Sequence, residues 1–451
     1  MENSSLFFSV RRCEPELIRP AKPTPCGLEL LSEIDDQEGL RFHMSFILFY
    51  KNNINGSELG KDPVKVVREA LSKALVYYYP FAGRVREGDN RKLMVDCQGQ
   101  GVLFMEADAD ITLEEIGDSV YLLPCPYIEE LLWNVPHSNG ILASPLLLIQ
   151  VTRFKCGGFS FAIRMNHTIS DSLGLVQFLI TIGEVANGAT QPSQMPTWNR
   201  DIFNARKPPR ISFTHNEYSQ NIFSMEAKHH SKAMIHKAFF FSHRQLLSIR
   251  NSLPSNLQNT CTTFEILTAF LWKCRTISLG FDPLDKVGVS YMVNARGRKD
   301  IQVPNGYYGN AFAFPMVLSK VGLVCDRPLG YALELVKKIK TQMTLEYIKS
   351  VADLMVIKGR PCFNTQVGSF IVADTTRVPF GKVDFGWGKP VSAGITSPVP
   401  SISFFARSKN RGGEEGIVVP IWLPPLVMER FERELKKMLD TTIYGGIISS
   451  L

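Results

Sequence analysis

No stretch of this chain is apolar for long enough to cross a bilayer. Runs of 18 or more apolar residues are absent, so no transmembrane helix is expected. Ordered cysteine spacing is also missing. The nine cysteines, at positions 13, 26, 97, 125, 156, 261, 274, 325 and 362, form no CxxC pair and no zinc-type pattern. Their odd number suits free thiols in a reducing compartment. The GxSxG elbow of serine hydrolases, the P-loop, a strand–GxGxxG–helix dinucleotide fingerprint and HExxH are all lacking. Excess charge of one sign is small: 50 Lys and Arg against 43 Asp and Glu give a net +7. No dense basic block interleaved with aromatics occurs, so nucleic acid is not an expected partner. The opening residues hold no apolar signal core with a cleavage site, and a cytoplasmic location is expected. Low-complexity tracts, internal repeats and coiled-coil heptads are likewise missing.

What is present is a chain of 451 residues, 45% hydrophobic and 21% charged, long enough for two globular domains. Strand patterns fall at Leu6–Val10, Met44–Tyr50, Lys92–Cys97, Val102–Ala107 and Leu146–Phe154. Asp62-Pro63 starts a helix with Val67, Leu71, Ala74, Leu75 and Tyr78 on its buried side, and Pro80 stops it. Residues 189–225 are proline-rich and aperiodic, which reads as a surface crossover. The expected division is therefore 1–188, a linker over 189–225, and 226–451. Beyond the linker, strands are expected at His236–Ser242, Val287–Asn294, Ala311–Val317, Ile402–Arg407 and Gly416–Trp422. Thr262, Thr263, Phe264 and Glu265 form a capping box ahead of a helix, and long helices cover Leu329–Tyr347 and Leu426–Leu439.

The chain is organised around the stretch from Gly157 to Gly188. Phe159, Phe161, Ile163 and Met165 alternate with Ser160, Ala162, Arg164 and Asn166, the period of a strand with one apolar face. His167 continues the apolar parity and points inward. The period then becomes helical, with Leu173, Val176, Leu179, Ile180 and Gly183 on one stripe. Neutral imidazole titrates near ~6.5 and can take a proton from an attacking hydroxyl. Read alone, His167 fits a hydrogen-bonded core residue as well, and Asp171 fits a helix N-cap. A metal site would need a third ligand that is missing at local spacing, and His229-His230 sits in a polar stretch. With no serine or cysteine nucleophile in a recognisable setting, the pair favours direct attack by a substrate hydroxyl on an activated acyl donor. Asp384-Phe385-Gly386-Trp387-Gly388 reads as a bent, packed loop, with Asp384 held by an arginine and Trp387 in a core pocket.

HxxxD at His167–Asp171 together with DFGWG at 384–388 resembles the signature pair of the plant BAHD acyltransferases. Further matches are Tyr78-Tyr79-Pro80-Phe81-Ala82-Gly83-Arg84, Val293-Asn294-Ala295-Arg296 and Gly306-Tyr307-Tyr308-Gly309-Asn310. GYYGNAFAFP and IDDQEGLRF resemble the branch holding alcohol acyltransferases and benzyl alcohol benzoyltransferases. The resemblance implies an α/β protein of two chloramphenicol-acetyltransferase-like domains, each a mixed sheet with flanking helices, with a channel between them. It implies a monomer that uses acyl-CoA as co-substrate, with no permanently bound cofactor and no metal. His167 would act at mid-channel. Asp171 would point away from substrate and pair with Arg296, or with Arg298, and DFGWG would hold a loop. Thr262 and Thr263 at a helix start are candidate CoA-phosphate donors, although capping explains them equally.

Two departures stand out. Ser172 follows HxxxD where Gly or Ala is frequent. Ala373 stands where relatives often carry Ser or Thr near the reacting carbonyl, so a hydroxyl is missing there. The expected activity is transfer of a benzoyl or short acyl group from CoA to benzyl or aliphatic alcohol. The alternatives are a bulky alkaloid or terpenoid alcohol as acceptor, and a non-catalytic ligand-binding relative.

Overall fold

The computed structural model of the chain describes residues 7–52, 60–117, 125, 127–223, 234–396, 399, 401–410 and 412–448. In the first half the strands are β1 (Val10–Arg12), β2 (Glu16–Ile18), β3 (Leu28–Leu30), β4 (His43–Tyr50), β5 (Arg84–Glu87), β6 (Leu93–Asp96), β7 (Val102–Ala109), β8 (Leu147–Arg153) and β9 (Phe159–Asn166). In the second half they are β10 (Ile235–Ser242), β11 (Lys286–Tyr291), β12 (Val293–Asn294), β13 (Phe312–Ala313), β14 (Met316–Lys320), β15 (Ser369–Asp374), β16 (Ser392–Ile395), β17 (Ile402–Lys409) and β18 (Glu415–Leu423). The longer helices are α1 (Pro63–Tyr77), α2 (Ser172–Ala186), α3 (Thr263–Leu279), α4 (Leu329–Gln342), α5 (Leu345–Lys358) and α6 (Pro425–Ile448).

Two mixed sheets carry the architecture. The first runs β1-β7-β8-β9-β4-β16, with β2 also on β7, and the second runs β10-β18-β17-β15-β11-β14. Each combines parallel and antiparallel pairs: β7 and β8 are parallel in the first, β15 is parallel to both β11 and β17 in the second. Side chains of α1 and α2 share one core with β4, β8 and β9, and α3, α4 and α6 share another with the second sheet. This is the two-sheet α/β architecture that the resemblance implied.

Local sequence explains the elements that matter. Asp62 caps α1 by accepting from the Val64 amide at 3.2 Å, and Pro63 occupies the first helical position, where a missing N–H costs nothing. The strand β9 is buried on both faces, not one. Phe159, Phe161, Ile163 and Met165 face the core beneath α1 and α2, while Ala162 faces a smaller cluster with Leu113, Leu131 and Leu148. Helix α2 is also more enclosed than its periodicity suggests. Leu175, Phe178 and Ile182 join Val176, Leu179 and Gly183 in the buried set, while Leu173 and Ile180 remain partly exposed.

Several expected boundaries move. The first strand begins at Val10, and Leu6 lies outside the described residues. The helix expected over 329–347 is two helices, because Thr344 stops α4 and caps α5 by accepting from the Tyr347 amide at 3.1 Å. The strand expected over 311–317 splits into β13 and β14 around Pro315, which has no ladder donor. That over 287–294 splits into β11 and β12 at Met292.

Neither half keeps to its own core. Residues Phe380, Val383, Phe385, Trp387 and Ile395 belong to the first core, and β16 pairs antiparallel with β4. Conversely, Ile34 belongs to the second. The 226–451 segment therefore sends its DFGWG stretch across to the first sheet. The linker is not a surface strap either: Arg200, Phe203, His215, Glu217 and Tyr218 are buried. Its backbone donors are met by side chains from both halves, Ala205 by Glu33 at 2.9 Å and Arg206 by Asp353 at 2.7 Å. The last two linker positions, 224 and 225, and His229 and His230 lie outside the described residues.

Candidate active site

The strand-to-helix turn after β9 is held at every residue. The His167 amide donates to the Phe42 carbonyl at 2.9 Å, extending the β4–β9 ladder one step past Asn166. Asn166 then folds the chain over: its Oδ1 accepts from the Thr168 hydroxyl at 2.8 Å and the Thr168 amide at 3.2 Å. Ser170 donates to the Tyr308 carbonyl at 2.5 Å. Asp171 caps α2 by accepting from the Gly174 amide at 2.9 Å. A Cβ at Gly174 would lie 2.1 Å from the Tyr308 carbonyl oxygen, so only glycine lets the helix approach the 306–310 segment this closely.

Asp171 and Arg296 form a two-pronged ion pair, with Arg296 Nη1 to Oδ2 at 2.7 Å and Nη2 to Oδ1 at 3.1 Å. Oδ2 also accepts from the Ala311 amide at 3.1 Å. Arg296 Nη2 donates onward to the Gly309 carbonyl at 2.7 Å. Arg298, the other candidate partner, donates instead to the Met343 and Lys340 carbonyls. Asp171 borders the cavity beside His167, but its oxygens are committed to these donors. The pair thus welds the turn in the first half to β12 and the 307–311 segment in the second.

His167 is 6% exposed, between the rings of Phe42 at 5.3 Å and Phe312 at 6.1 Å. Burial pushes its pKa below the ordinary imidazole value, because charging the ring in an apolar setting is costly. The histidine's own carbonyl, Asp171, the Asn310 side chain and Asp35 pull the other way without winning. The ring is therefore neutral at neutral pH, the state a proton acceptor requires.

His167 borders a cavity of about 550 Å³. Its walls include Phe42, Phe312, Phe314, Phe363 and Phe404, with Ala373 on β15 set among them. A second cavity of about 680 Å³ lies beside it, bordered by Arg377, Arg407, Lys409 and His243. The two are adjacent, sharing Thr262, Phe264, Asp374, Thr375, Arg377 and Val378 as a common wall, and the outer one also carries Asp374 and Glu415 beside its cations. Thr262 and Thr263 stand in the outer cavity at the start of α3. Their hydroxyl oxygens are already acceptors: Thr262 for the Glu265 amide at 3.2 Å, Thr263 for Arg250 Nη2 at 3.2 Å.

The DFGWG loop lies away from the chamber. Asp384 is held by two glycine amides, Gly386 and Gly388, each at 2.8 Å, and not by an arginine among the described residues. Those glycines have φ of 107° and 83°, so the chain curls tightly enough for the carboxylate to collect both amides of its own loop. Trp387 is buried edge-on against Phe159 at 5.2 Å, and Phe385 meets Phe161 at 5.1 Å.

Four residues to which the sequence assigned no role shape the site. Asp35, fully buried, accepts from the Asn310 amide and Asn310 Nδ2, each at 2.9 Å, and lies 3.1 Å from Arg200 Nη1. Asn310 Nδ2 also donates to the His167 carbonyl at 2.9 Å. Arg377 borders both cavities. Asp35 and Asn310 lie inside runs that stand out in the sequence, IDDQEGLRF and GYYGN, but nothing local states their roles. Among the described residues, no group of three His, Cys, Asp or Glu side chains is placed to hold a metal, and no helix is long and apolar enough to cross a membrane.

A neutral histidine on the wall of an aromatic chamber, with a second cavity bordered by Arg377, Arg407 and Lys409 beside it, suits a group-transfer enzyme without a covalent nucleophile. Comparison with known proteins narrows the class. The model of the Transferase family matches residues 8–438. The benzyl alcohol O-benzoyltransferase of Petunia hybrida is 54% identical over 443 residues, covering 97% of this chain and 95% of that protein. Alcohol acyltransferase 16 of Actinidia chinensis var. chinensis is 55% identical, covering 98% and 96%. The chain belongs to this family, the BAHD acyltransferases. Among solved structures, F. graminearum TRI101 complexed with ethyl coenzyme A shares the fold. Its TM-score is 0.72 at 16% identity, over 92% of this chain and 99% of that one.

Proposed function

We propose that this protein is an acyl-CoA:alcohol O-acyltransferase that esterifies benzyl or short aliphatic alcohols from benzoyl-CoA or a short acyl-CoA. The observation that carries the reading is His167 on the wall of an aromatic chamber adjacent to a cavity bordered by Arg377, Arg407 and Lys409. The names of the relatives, a benzyl alcohol O-benzoyltransferase and an alcohol acyltransferase, support the substrate class.

In this reading the CoA phosphates lie in the outer cavity near Arg377, Arg407 and Lys409, and the acyl thioester reaches inward past Thr375. The α3 N-terminus at Thr262 and Thr263 adds its dipole there, and each threonine hydroxyl, already an acceptor, keeps its own hydrogen for a phosphate oxygen. The alcohol sits among Phe42, Phe312 and Phe363 with its hydroxyl at His167. The neutral ring takes the hydroxyl proton on Nε2 as the oxygen attacks the thioester carbonyl. The tetrahedral intermediate collapses, the C–S bond breaks, and the departing thiolate recovers the proton from His167. Asp171 acts indirectly, by fixing the turn through Arg296. At Ala373 no hydroxyl is available to the oxyanion.

Both walls of the chamber come from one chain, which supports a monomer as the working form. The division 1–188, 189–225 and 226–451 describes two catalytic halves that trade segments across their seam. Nine free cysteines accord with a reducing, cytoplasmic setting. The test is competition: benzoyl-CoA is given with benzyl alcohol and a bulky terpenoid alcohol together, and the esters are identified by mass. Benzyl benzoate is the expected main product. Preferential acylation of the bulky alcohol would replace this substrate reading with the larger acceptor.

A further inference from the structure

We propose that Arg275 anchors a buried binding site for one halide ion, chloride in ordinary salt, at the end of the second sheet where β15 begins. The site lies apart from the chamber and does not depend on the reading of the reaction.

Among the described residues three arginines are buried: Arg200, Arg275 and Arg360. Arg200 lies 3.1 Å from Asp35, and Arg360 lies 2.9 Å from Asp36. Arg275, on α3 and 5% exposed, has no carboxylate partner among the described residues. Its guanidinium lies 5.6 Å from the centre of the Phe370 ring, a contact that supplies no acceptor lone pair. Burial, with no carboxylate to offset it, pulls its pKa down to about 9, which leaves it charged at neutral pH. A buried charge without a counter-charge is costly, so this region calls for an anion.

The cavity beside Arg275 suits one. It measures about 10 Å³, room for a single water-sized species, and Arg275, Thr365, Ser369, Ser401, Ser403 and Trp422 supply the polar part of its wall. No carboxylate stands among the described residues that line it. Ser369 Oγ and Trp422 Nε1 are buried with no hydrogen-bond partner among the described residues. A guanidinium and an indole N–H can only donate, and a hydroxyl can donate. Such a wall selects an acceptor, and the volume is too small for sulfate, phosphate or a carboxylate ligand. A water molecule would satisfy the indole but leave the guanidinium charge unmatched. A halide ion meets both. It would tie α3 to β15 through Ser369, to β17 through Ser403 and to β18 through Trp422. Ser403 is in register with Val372, so it shares a sheet face with Phe370, the ring under Arg275. Ala373, on the wall of the aromatic chamber, follows further along β15, roughly 13 Å from Ser369 at the rise of a strand.

The first experiment is thermal unfolding of the wild-type protein at constant ionic strength, with sodium chloride replacing sodium gluconate, whose anion is too large for the cavity. An ion that binds only the folded state raises the midpoint as its concentration rises, by roughly 2–4 °C at a hundredfold excess over the dissociation constant. Arg275→Gln should remove that dependence. A wild-type midpoint indifferent to chloride overturns the proposal, and so does a dependence that survives in Arg275→Gln. The second experiment is diffraction from wild-type crystals grown in sodium bromide, which decides the matter even where Arg275→Gln fails to fold. The expected anomalous map holds a bromide peak bordered by Arg275, Ser369 and Trp422. A water in that place overturns the proposal. A bromide peak without a chloride-dependent midpoint marks an adventitious ion only, and overturns it as well.

Discussion

Replacing Asp171 by alanine separates a positioning role from a chemical one. The carboxylate receives Arg296 twice and the amides of Gly174 and Ala311. Breaking one side of a buried ion pair costs about 3–5 kcal/mol. The Arg296 side chain is 20% exposed, so water relieves part of the stranded charge and the lower end applies. The lost N-cap adds about 1 kcal/mol. Asp171→Ala should therefore cost about 4 kcal/mol, and Asp171→Asn, which keeps a cap, about 3 kcal/mol. Arg296→Ala should cost nearly as much alone, and the double variant should cost less than the sum by up to about 3 kcal/mol, because the two share one interaction. The assay is urea unfolding followed by tryptophan fluorescence, with acyl transfer measured on the folded fraction. A variant as stable as wild type but as inactive as one lacking His167 would refute the reasoning, since Asp171 would then act in the chemistry.

Three further outcomes are expected. Burial holds the folded His167 pKa below 6.5, so the acid limb of kcat/KM should have its midpoint below pH 6.5. The unfolded chain binds that proton first as pH drops, so stability also declines below pH 6.5, and an activity limb above that pH would contradict the reading. A Cβ at Gly39 would lie 2.3 Å and 2.5 Å from two carbons of the Phe363 ring, which is stacked on Tyr218 at 5.0 Å. Gly39→Ala should displace that ring and lower kcat/KM for bulky alcohols about tenfold relative to small ones, measured across an alcohol series. Asp384→Ala strands the Gly386 and Gly388 amides and should cost about 1–3 kcal/mol, while turnover per folded molecule is unchanged.

The sequence revealed the turn at the centre of the site because two signals meet there. The period changes from two to 3.6 residues across His167, and a capping residue sits at the change. Asp62-Pro63 and the Thr262–Glu265 capping box were legible for the same reason: each is a local backbone requirement met by a local side chain. What stayed hidden is long-range. Asp35 reaches Arg200 and Asn310 across 165 and 275 residues, and no periodicity encodes such a meeting. The burial of the linker was hidden too, because prolines and polar residues look alike on a surface and in a seam lined by Glu33, Ser350 and Asp353. Asp384 invited an arginine on charge alone. The loop instead supplies two glycine amides, a solution visible only once φ is known at Gly386 and Gly388.

The most direct test of the central claim is CoA thiol release from benzoyl-CoA by the wild-type protein and by His167→Ala, each with and without benzyl alcohol. Loss of a general base costs roughly 10²–10⁴-fold. The account predicts release that needs both the alcohol and His167, with CoA binding retained by the variant. Release at wild-type rate from His167→Ala would contradict it, and release without alcohol would make the protein a thioesterase.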